Sequence, residues 1–245
     1  MMLSIVVPAF NETQRIVPSL ERVFTYMDRY HDGFEILLVD DGSTDGMAAL
    51  VRQRFGDRPQ LRVVTYGANR GKGYAVRYGT LEARGDVVLF SDADFSTPIE
   101  ELEKLLATLA EGYDMVIGSR ALRGSEIRQR QPFYREGAGK FFNLLVRLFV
   151  LPGFHDTQCG FKCFRREPLL PVVRQLQIDG FAFDVELIAL AVAAGLRVAE
   201  VPVVWVNSPS SRVRLRHGLA AFADLQGIRR RARALAAQRV AGPPR

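Results

Sequence analysis

Cysteine and histidine are scarce in this chain of 245 residues, which has two cysteines and three histidines. Cys159 and Cys163 lie close together without a second cysteine pair or a nearby histidine pair, so neither a disulfide framework nor a zinc site is indicated. His31, His155 and His217 have no histidine or cysteine at ligand spacing, which favours surface or packing roles. We therefore expect the protein to work in a reducing cytosol.

Long hydrophobic runs are also missing. No apolar run reaches the roughly 18 to 20 residues that a membrane-spanning helix needs. The nearest, residues 141–151, is interrupted by Arg147. Residues 1–8 are apolar and strand-like and lack the basic leader of a signal peptide. We expect a cytoplasmic protein that does not cross a membrane by itself.

Acidic residues are almost absent near the end of the chain, although the net charge of the whole chain is only +6. Residues 212–239 contain eight arginines and one acid, Asp224. Apolar residues recur there every three or four positions, which predicts an amphipathic basic helix over residues 217–239. This helix either caps the domain or lies on anionic lipid. No nucleic-acid motif is present, so we expect no nucleic-acid partner.

Short apolar runs alternate with helical patterns through the rest of the chain. The runs predict strands at residues 3–7, 35–39, 61–65, 87–90 and 115–117. The patterns predict helices at residues 13–30, 45–55, 73–83 and 98–110. Such alternation is typical of an α/β fold with a mostly parallel sheet. We expect one catalytic domain over residues 1–216, then the basic helix, then a disordered tail over residues 240–245.

Polar loops follow four of these strands, at residues 8–12, 40–43, 69–73 and 92–94. In α/β sheets ligands bind beyond the carboxyl ends of the strands, so these loops are expected to converge. Gly71 and Gly73 are not followed by the third glycine of a dinucleotide fold, and no phosphate-binding Gly-Lys-Ser/Thr loop occurs. Hydride transfer and ATP hydrolysis are therefore weak interpretations.

Asp92-Ala93-Asp94 is the most informative of these loops, because it ends a buried strand. Two carboxylates at this spacing can share a divalent cation whose other ligands are diphosphate oxygens. A solvated loop is the alternative, since Asp is common in loops. Asp41, after the second strand, can accept hydrogen bonds from a nucleoside.

Three motifs together resemble glycosyltransferase family 2, whose members have the GT-A fold. They are Val6-Val7-Pro8-Ala9-Phe10-Asn11-Glu12, Val39-Asp40-Asp41-Gly42-Ser43-Thr44-Asp45 and Asp92-Ala93-Asp94. Within that family the chain is similar to the polyprenyl-phosphate enzymes, and most to the dolichyl-phosphate β-glucosyltransferases. That narrower resemblance rests on Asn69-Arg70-Gly71-Lys72-Gly73, Gly118-Ser119-Arg120, Asp156-Thr157-Gln158-Cys159-Gly160-Phe161-Lys162 and Phe183-Asp184-Val185-Glu186.

The resemblance implies roles for the matching residues. Asp92 and Asp94 would hold Mg²⁺ or Mn²⁺ on the diphosphate of the nucleotide-sugar, and Arg120 would contact the phosphates. All three are the expected catalytic residues. The nucleotide-sugar would be bound by Pro8, Ala9, Asn11, Glu12, Asp41, Ser43, Lys72, Asp92, Ala93 and Asp94.

The acceptor determines which further residues are needed. A lipid phosphate is already anionic and needs no general base, but it needs positive charge. By resemblance, Arg120, Arg135 and Arg212 would supply that charge. A sugar hydroxyl would instead need a base, for which the candidates are Asp156, Asp184 and Glu186. The apolar residues 141–151 form either a core helix or a helix that touches lipid.

The resemblance implies an inverting transferase that moves a hexose, foremost glucose from UDP-glucose, onto a polyprenyl phosphate. Its expected location is peripheral, at the cytoplasmic face of a membrane, bound to the lipid surface or to a membrane partner protein. Three alternatives stay open: a GDP-mannose-dependent mannosyltransferase, a transferase acting on a carbohydrate hydroxyl, and a catalytically silent adaptor.

Overall fold

Strands and helices alternate along the chain in a computed structural model that describes residues 1–129, 133–206 and 215–241. The strands are β1 (Leu3–Ala9), β2 (Phe34–Asp40), β3 (Leu61–Thr65), β4 (Val87–Ser91), β5 (Met115–Ser119), β6 (Glu126–Gln129), β7 (Phe161–Arg165), β8 (Val198–Pro202) and β9 (Val204–Val206). The helices are α1 (Ile16–Tyr30), α2 (Met47–Phe55), α3 (Lys72–Glu82), α4 (Leu102–Ala110), α5 (Phe133–Phe149), α6 (Arg166–Gln175), α7 (Phe183–Ala193) and α8 (Leu215–Ala241). A turn of 3₁₀ helix at Ile99–Glu101 precedes α4.

The main sheet has the strand order β3-β2-β1-β4-β7-β5-β8, and β6 pairs separately with β9. Neighbours β1 and β2, β2 and β3, β1 and β4, and β5 and β8 are parallel. Strand β7 runs antiparallel to both β4 and β5. The prediction of an α/β fold with a mostly parallel sheet is therefore confirmed, and each predicted strand is present.

The central strands are apolar because helices cover both faces of the sheet. Every residue of β1, β2, β4 and β5 is buried, as expected for strands enclosed on both sides. Side chains alternate between the faces, so Ile5 and Val7 enter one core while Val6 enters the other. The first core includes residues of α1, α2 and α4, and the second includes residues of α3, α5, α6, α7 and α8.

Helix α8 packs on the domain through the second core. Leu225 and Ile228 are buried there, and Ala232 and Leu235 pack against the same cluster. The helix includes the whole predicted range 217–239 and continues to Ala241, two residues into the predicted tail. Residues 242–245 lie outside the described residues, so a disordered tail stays a prediction. Of the helices in the described ranges, none combines the length and the apolar character needed to span a bilayer.

Candidate active site

The four polar loops meet at one edge of the main sheet. Strands β1, β2, β3 and β4, which precede the four loops, are parallel to one another. Strand β5 has the same direction because both β4 and β5 run antiparallel to β7. Their carboxyl ends therefore lie on the same side, where ligands bind in α/β folds. Asn11, Asp41, Asp92 and Arg120 each follow one of these ends.

A tight turn holds the two carboxylates after β4. The amide of Asp92 donates to Gly160 O (3.0 Å), and the amide of Phe95 donates to Asp92 O (3.0 Å). Phe95 has φ of +44°, which is unusual for a bulky residue and indicates local strain. The amide of Ser96 donates to Asp94 Oδ1 at 3.0 Å. The turn thus fixes the motif at the rim, and strain of this kind is often found at functional sites.

Each of these carboxylates has a cationic neighbour from the protein. Lys72 Nζ lies 2.7 Å from Asp92 Oδ1, and Arg15 Nη1 lies 3.6 Å from Asp94 Oδ2. Arg15 is held in turn by Glu12, whose Oε2 accepts from Nε at 2.7 Å. Arg15 was not predicted from the sequence as a site residue, although a cation three residues after Glu12 at the start of a helix was a usable signal.

A cation would relieve the repulsion between the two carboxylates of this cluster. Burial and the nearby Asp92 carboxylate raise the pKa of Asp94 above its usual value. Burial alone would lower the pKa of the Lys72 ammonium, but Asp92 and Asp184 raise it overall. Among the described residues, no three or more His, Cys, Asp or Glu side chains are grouped so that they could hold a metal ion by themselves. The protein would therefore supply two carboxylates, the hard oxygen ligands that Mg²⁺ and Mn²⁺ prefer, and the diphosphate would complete the shell.

Because Gly160 has no side chain, the Asp92 carboxylate can lie against its backbone. A Cβ at this position would overlap Asp92 Oδ2 and lie 2.7 Å from Oδ1. Gly160 directly precedes β7, so the antiparallel strand beside β4 also shapes the carboxylate site. No role was predicted for this glycine from the sequence, although it belongs to the motif over residues 156–162.

On the expected nucleoside side, Asn11 and Asp41 organise neighbouring loops. Asn11 has φ of +56°, its amide donates to Ser43 Oγ (2.9 Å), and its Oδ1 accepts from the amide of Thr44 (2.8 Å). The buried Asp41 carboxylate accepts from Tyr66 Oη, Asn69 Nδ2 and the amides of Arg70 and Gly71, at 2.7 to 3.1 Å. Asp41 therefore links two rim loops. The nucleotide-sugar contacts of Pro8, Ala9, Asn11, Glu12, Asp41, Ser43, Lys72 and Ala93 stay predictions.

Arg120 is bound to Asp156 through two nitrogens on one edge of its guanidinium. Nε donates to Asp156 Oδ2 (2.6 Å) and Nη2 donates to Oδ1 (2.8 Å), while the Arg120 amide also donates to Oδ2 (3.0 Å). The guanidinium carbon lies 5.6 Å from the Trp205 ring centroid. Burial alone would raise the pKa of Asp156, but Arg120 lowers it to about 2. Asp156 therefore orients Arg120 and is poorly suited to act as a base.

The other two base candidates are also buried and paired. Asp184 forms a fully enclosed ion pair with Lys162, whose Nζ also donates to Cys159 O at 2.6 Å. Glu186 pairs with Arg231 and accepts from the amides of Gln177 and Ile178. These contacts give Glu186 a packing role between α7, α8 and the segment before α7.

The expected acceptor residues are only partly described. Arg135 belongs to α5, but its side chain lies outside the described part of the structure, as does the whole of Arg212. Helix α5 itself has one buried side, with Phe142 and Val146 in the second core, and one exposed apolar side. Phe141, Leu144, Leu148 and Phe149 on that side are 48 to 66% exposed.

The family model for glycosyl transferase family 2 matches residues 4–170 of this chain. The chain belongs to glycosyltransferase family 2. Similar members of the family include a dolichyl-phosphate beta-glucosyltransferase of Trichomonas vaginalis, 37% identical over 91% of this chain and 69% of the relative. The dolichyl-phosphate beta-glucosyltransferase of Saccharomyces cerevisiae is 34% identical over 87% of this chain and 69% of the relative.

Solved glycosyltransferase structures share the fold. Mannosyl-3-phosphoglycerate synthase from Rubrobacter xylanophilus has a TM-score of 0.68 at 21% identity, covering 100% of this chain and 78% of that protein. Glucosyl-3-phosphoglycerate synthase from Mycobacterium tuberculosis, in complex with Mn²⁺ and UDP-glucose, has a TM-score of 0.63 at 20% identity, covering 93% and 79%. The fold of this family 2 chain is therefore GT-A.

Proposed function

We propose that this protein is an inverting transferase that moves glucose from UDP-glucose onto a polyprenyl or dolichyl phosphate, with Mg²⁺ or Mn²⁺ as cofactor. The observation that carries the proposal is the carboxylate pair Asp92 and Asp94 at the sheet edge, flanked by Lys72 and Arg15. The relatives named dolichyl-phosphate beta-glucosyltransferase give the sugar and the acceptor.

The donor half of the reaction needs charge neutralisation on the leaving nucleoside diphosphate. Asp92 and Asp94 would hold the divalent cation, which acts there as a Lewis acid on the diphosphate. Lys72 adds a positive charge beside Asp92. The Arg120 guanidinium, oriented by Asp156, binds a phosphate through the N–H groups that Asp156 does not use.

The acceptor half needs positive charge and no base if the nucleophile is a phosphate oxygen. Support comes from Asp156, Asp184 and Glu186, which are all buried against protein cations and therefore not accessible to an acceptor hydroxyl. Arg120, Arg135 and Arg212 bind the acceptor phosphate in this proposal. One displacement at the anomeric carbon converts an α-linked donor into a β-linked lipid product.

Membrane contact is proposed to be peripheral, at the cytoplasmic face or through a membrane partner. The exposed apolar side of α5 is the main support, because a contiguous apolar surface of this kind is typical of interaction sites. Exposed arginines of α8, including Arg229, Arg230 and Arg233, add positive charge that suits anionic lipid.

The test is a transfer assay with UDP-[¹⁴C]glucose, Mn²⁺ and a polyprenyl phosphate, followed by lipid extraction. We expect labelled lipid with wild type and none with Asp94→Asn. Parallel reactions with GDP-mannose and with a soluble sugar acceptor separate the alternatives. Label transferred only from GDP-mannose, or only to the soluble hydroxyl, would refute the proposal, and an α-linked product would refute inversion.

A further inference from the structure

Helix α8 contacts a buried carboxylate in the interior of the domain. The guanidinium of Arg231 donates to Oε1 of Glu186 on α7. The Glu186 side chain is fully buried, whereas that of Arg231 is 24% exposed. Arg231 lies three residues after Ile228, which is buried in the second core. A surface helix thus supplies the positive partner of an interior acid.

Glu186 binds a second part of the chain, the segment between α6 and α7. Its Oε1 accepts from the amide of Gln177 at 3.0 Å, and its Oε2 accepts from the amide of Ile178 at 2.9 Å. Two main-chain donors and one arginine thus share a single buried carboxylate. Without Arg231, the remaining described partners of Glu186 would be neutral main-chain donors, an unfavourable arrangement for a buried negative charge that the segment must relax to relieve.

The same segment packs against the start of α3. The carbonyl of Asp179 accepts from the amide of Gly73 at 2.8 Å. A Cβ at Gly73 would overlap Ile178 O and lie 2.7 Å from Phe183 Cβ, so this close approach requires glycine. Arg77, one turn further along α3, donates to Leu176 O. The segment at 176–179 therefore holds the first turn of α3 through side-chain and main-chain contacts.

Lys72 precedes Gly73 and is the residue of α3 that reaches the carboxylate site. Its Nζ lies 2.7 Å from Asp92 Oδ1. It also lies 5.2 Å from the Phe90 ring centroid and 5.7 Å from that of Phe183, the first residue of α7. The segment bound by Glu186 fixes the backbone next to Lys72, and α7 contacts its side chain.

We propose that Arg231 and Glu186 are positioning residues for Lys72, so that α8 sets the affinity of the site for the nucleotide-sugar. The chain of contacts runs from Arg231 through Glu186, the amides of Gln177 and Ile178, and the bond between Asp179 and Gly73. This inference rests on the proposed function, because Lys72 is taken to face the donor diphosphate.

Arg231→Gln is the test variant, and Arg230→Gln is its matched control. Both remove one positive charge from neighbouring positions of α8, but Arg230 is exposed. Calorimetric titration with UDP-glucose and Mn²⁺, without lipid, should give a Kd about fivefold higher for Arg231→Gln, within the range typical of coupling between sites. Arg230→Gln should bind like wild type, and Arg231→Lys should fall between them.

A double-mutant cycle distinguishes positioning from general loss of stability. In a Lys72→Met background, Arg231→Gln should produce no further loss of donor affinity, because the side chain that it positions is gone. An equal fivefold loss in both backgrounds would overturn the proposal, as would equal Kd values for Arg231→Gln and Arg230→Gln.

Hydrogen exchange tests the link without a donor. The amide of Gly73 should exchange roughly tenfold faster in Arg231→Gln than in wild type, since the bond to Asp179 opens more often. Unchanged exchange at Gly73 would overturn the positioning inference even if the protein binds UDP-glucose. If wild type binds no nucleotide-sugar, the proposed function fails, while the exchange result still decides whether α8 positions α3.

Discussion

Charged side chains at the rim of the sheet form ion pairs with one another. Lys72 contacts Asp92, Arg15 contacts Asp94, and Asp156 binds Arg120. Partly buried charges without partners are costly, so such pairing stabilises the rim. The pairing also places Lys72 and Arg15 beside the carboxylates. A bound diphosphate could contact these two cations in place of Asp92 and Asp94. This arrangement of charges is compatible with the proposed binding of an anionic ligand together with a metal ion.

Gly160→Ala should impair the carboxylate site while leaving the fold intact. The added Cβ meets the end of the Asp92 side chain, which can rotate away at small cost but then no longer points into the site. We expect thermal unfolding near that of wild type and transfer activity at least about tenfold lower, since small displacements of catalytic groups have large effects. Gly227→Ala is the control, because no atom lies within 4 Å of its added Cβ. Full activity in Gly160→Ala would contradict the role assigned to this glycine.

Asp156→Asn should destabilise the protein in a pH-dependent way. Breaking the buried pair with Arg120 should cost about 3 kcal/mol at pH 7. The pKa of Asp156 is lowered from 3.8 to about 2 in the folded state, so its stabilising effect is complete well above pH 4 and disappears as the pH falls toward 2. The difference in unfolding free energy between wild type and variant should shrink by about 1 kcal/mol between pH 5 and pH 3.

Urea unfolding at the two pH values measures this difference. The comparison with the variant cancels contributions from other carboxyl groups. A difference that stays constant or grows as the pH falls would show that Asp156 is not held as an anion by Arg120.

For the secondary-structure elements, apolar runs in the sequence were sufficient to predict the strands that are buried on both faces. The predicted strand at residues 61–65 coincides with β3, and those at residues 3–7 and 115–117 fall short of β1 and β5 by two residues. Strand β7 was missed because Lys162 and Arg165 interrupt its apolar pattern, although Lys162 is fully buried. Its charge is compensated by Asp184, which is distant in sequence.

In the candidate site, too, local motifs predicted some features, whereas contacts between distant residues could not be predicted. Motifs predicted which loops meet, because parallel strands bring their carboxyl ends to one edge. They could not predict that Arg120 pairs with Asp156, 36 residues away, or that Arg15 reaches Asp94. Such contacts depend on how helices and loops pack, which no local spacing encodes.

The exposed apolar side of α5 is expected to contact the membrane. Leu148 is 66% exposed on its apolar side, and inserting a leucine into a bilayer stabilises binding by roughly 1.5 kcal/mol or more. Leu148→Ala should therefore weaken sedimentation with vesicles of phosphatidylcholine and phosphatidylglycerol about tenfold. Leu81→Ala, an exposed leucine of α3, should bind like wild type. Equal binding by both variants would exclude α5 from the membrane contact.

In the molecule as a whole, the second core connects helices that are assigned to the donor and acceptor halves of the proposed reaction. The second core includes Ala75 of α3 on the donor side, Phe142 of α5 on the expected lipid side, and Leu225 of α8. Helices α3, α5 and α8 thus pack in one layer on the same side of the sheet, whereas Ala93 and Phe95 of the carboxylate turn pack in the first core. We expect the donor and acceptor halves to respond together to changes in this layer.

In the proposed reaction, Asp92 and Asp94 bind a nucleotide-sugar through a divalent cation. Thermal unfolding of wild type and Asp94→Asn, titrated with UDP-glucose with and without Mn²⁺, tests it most directly, since a ligand that binds the native state stabilises it. UDP-glucose with Mn²⁺ should raise the Tm of wild type by roughly 5 °C near saturation. Omitting Mn²⁺ or introducing Asp94→Asn should remove most of that shift. An equal shift in Asp94→Asn, or no shift in wild type, would show that these carboxylates do not bind UDP-glucose through a metal ion.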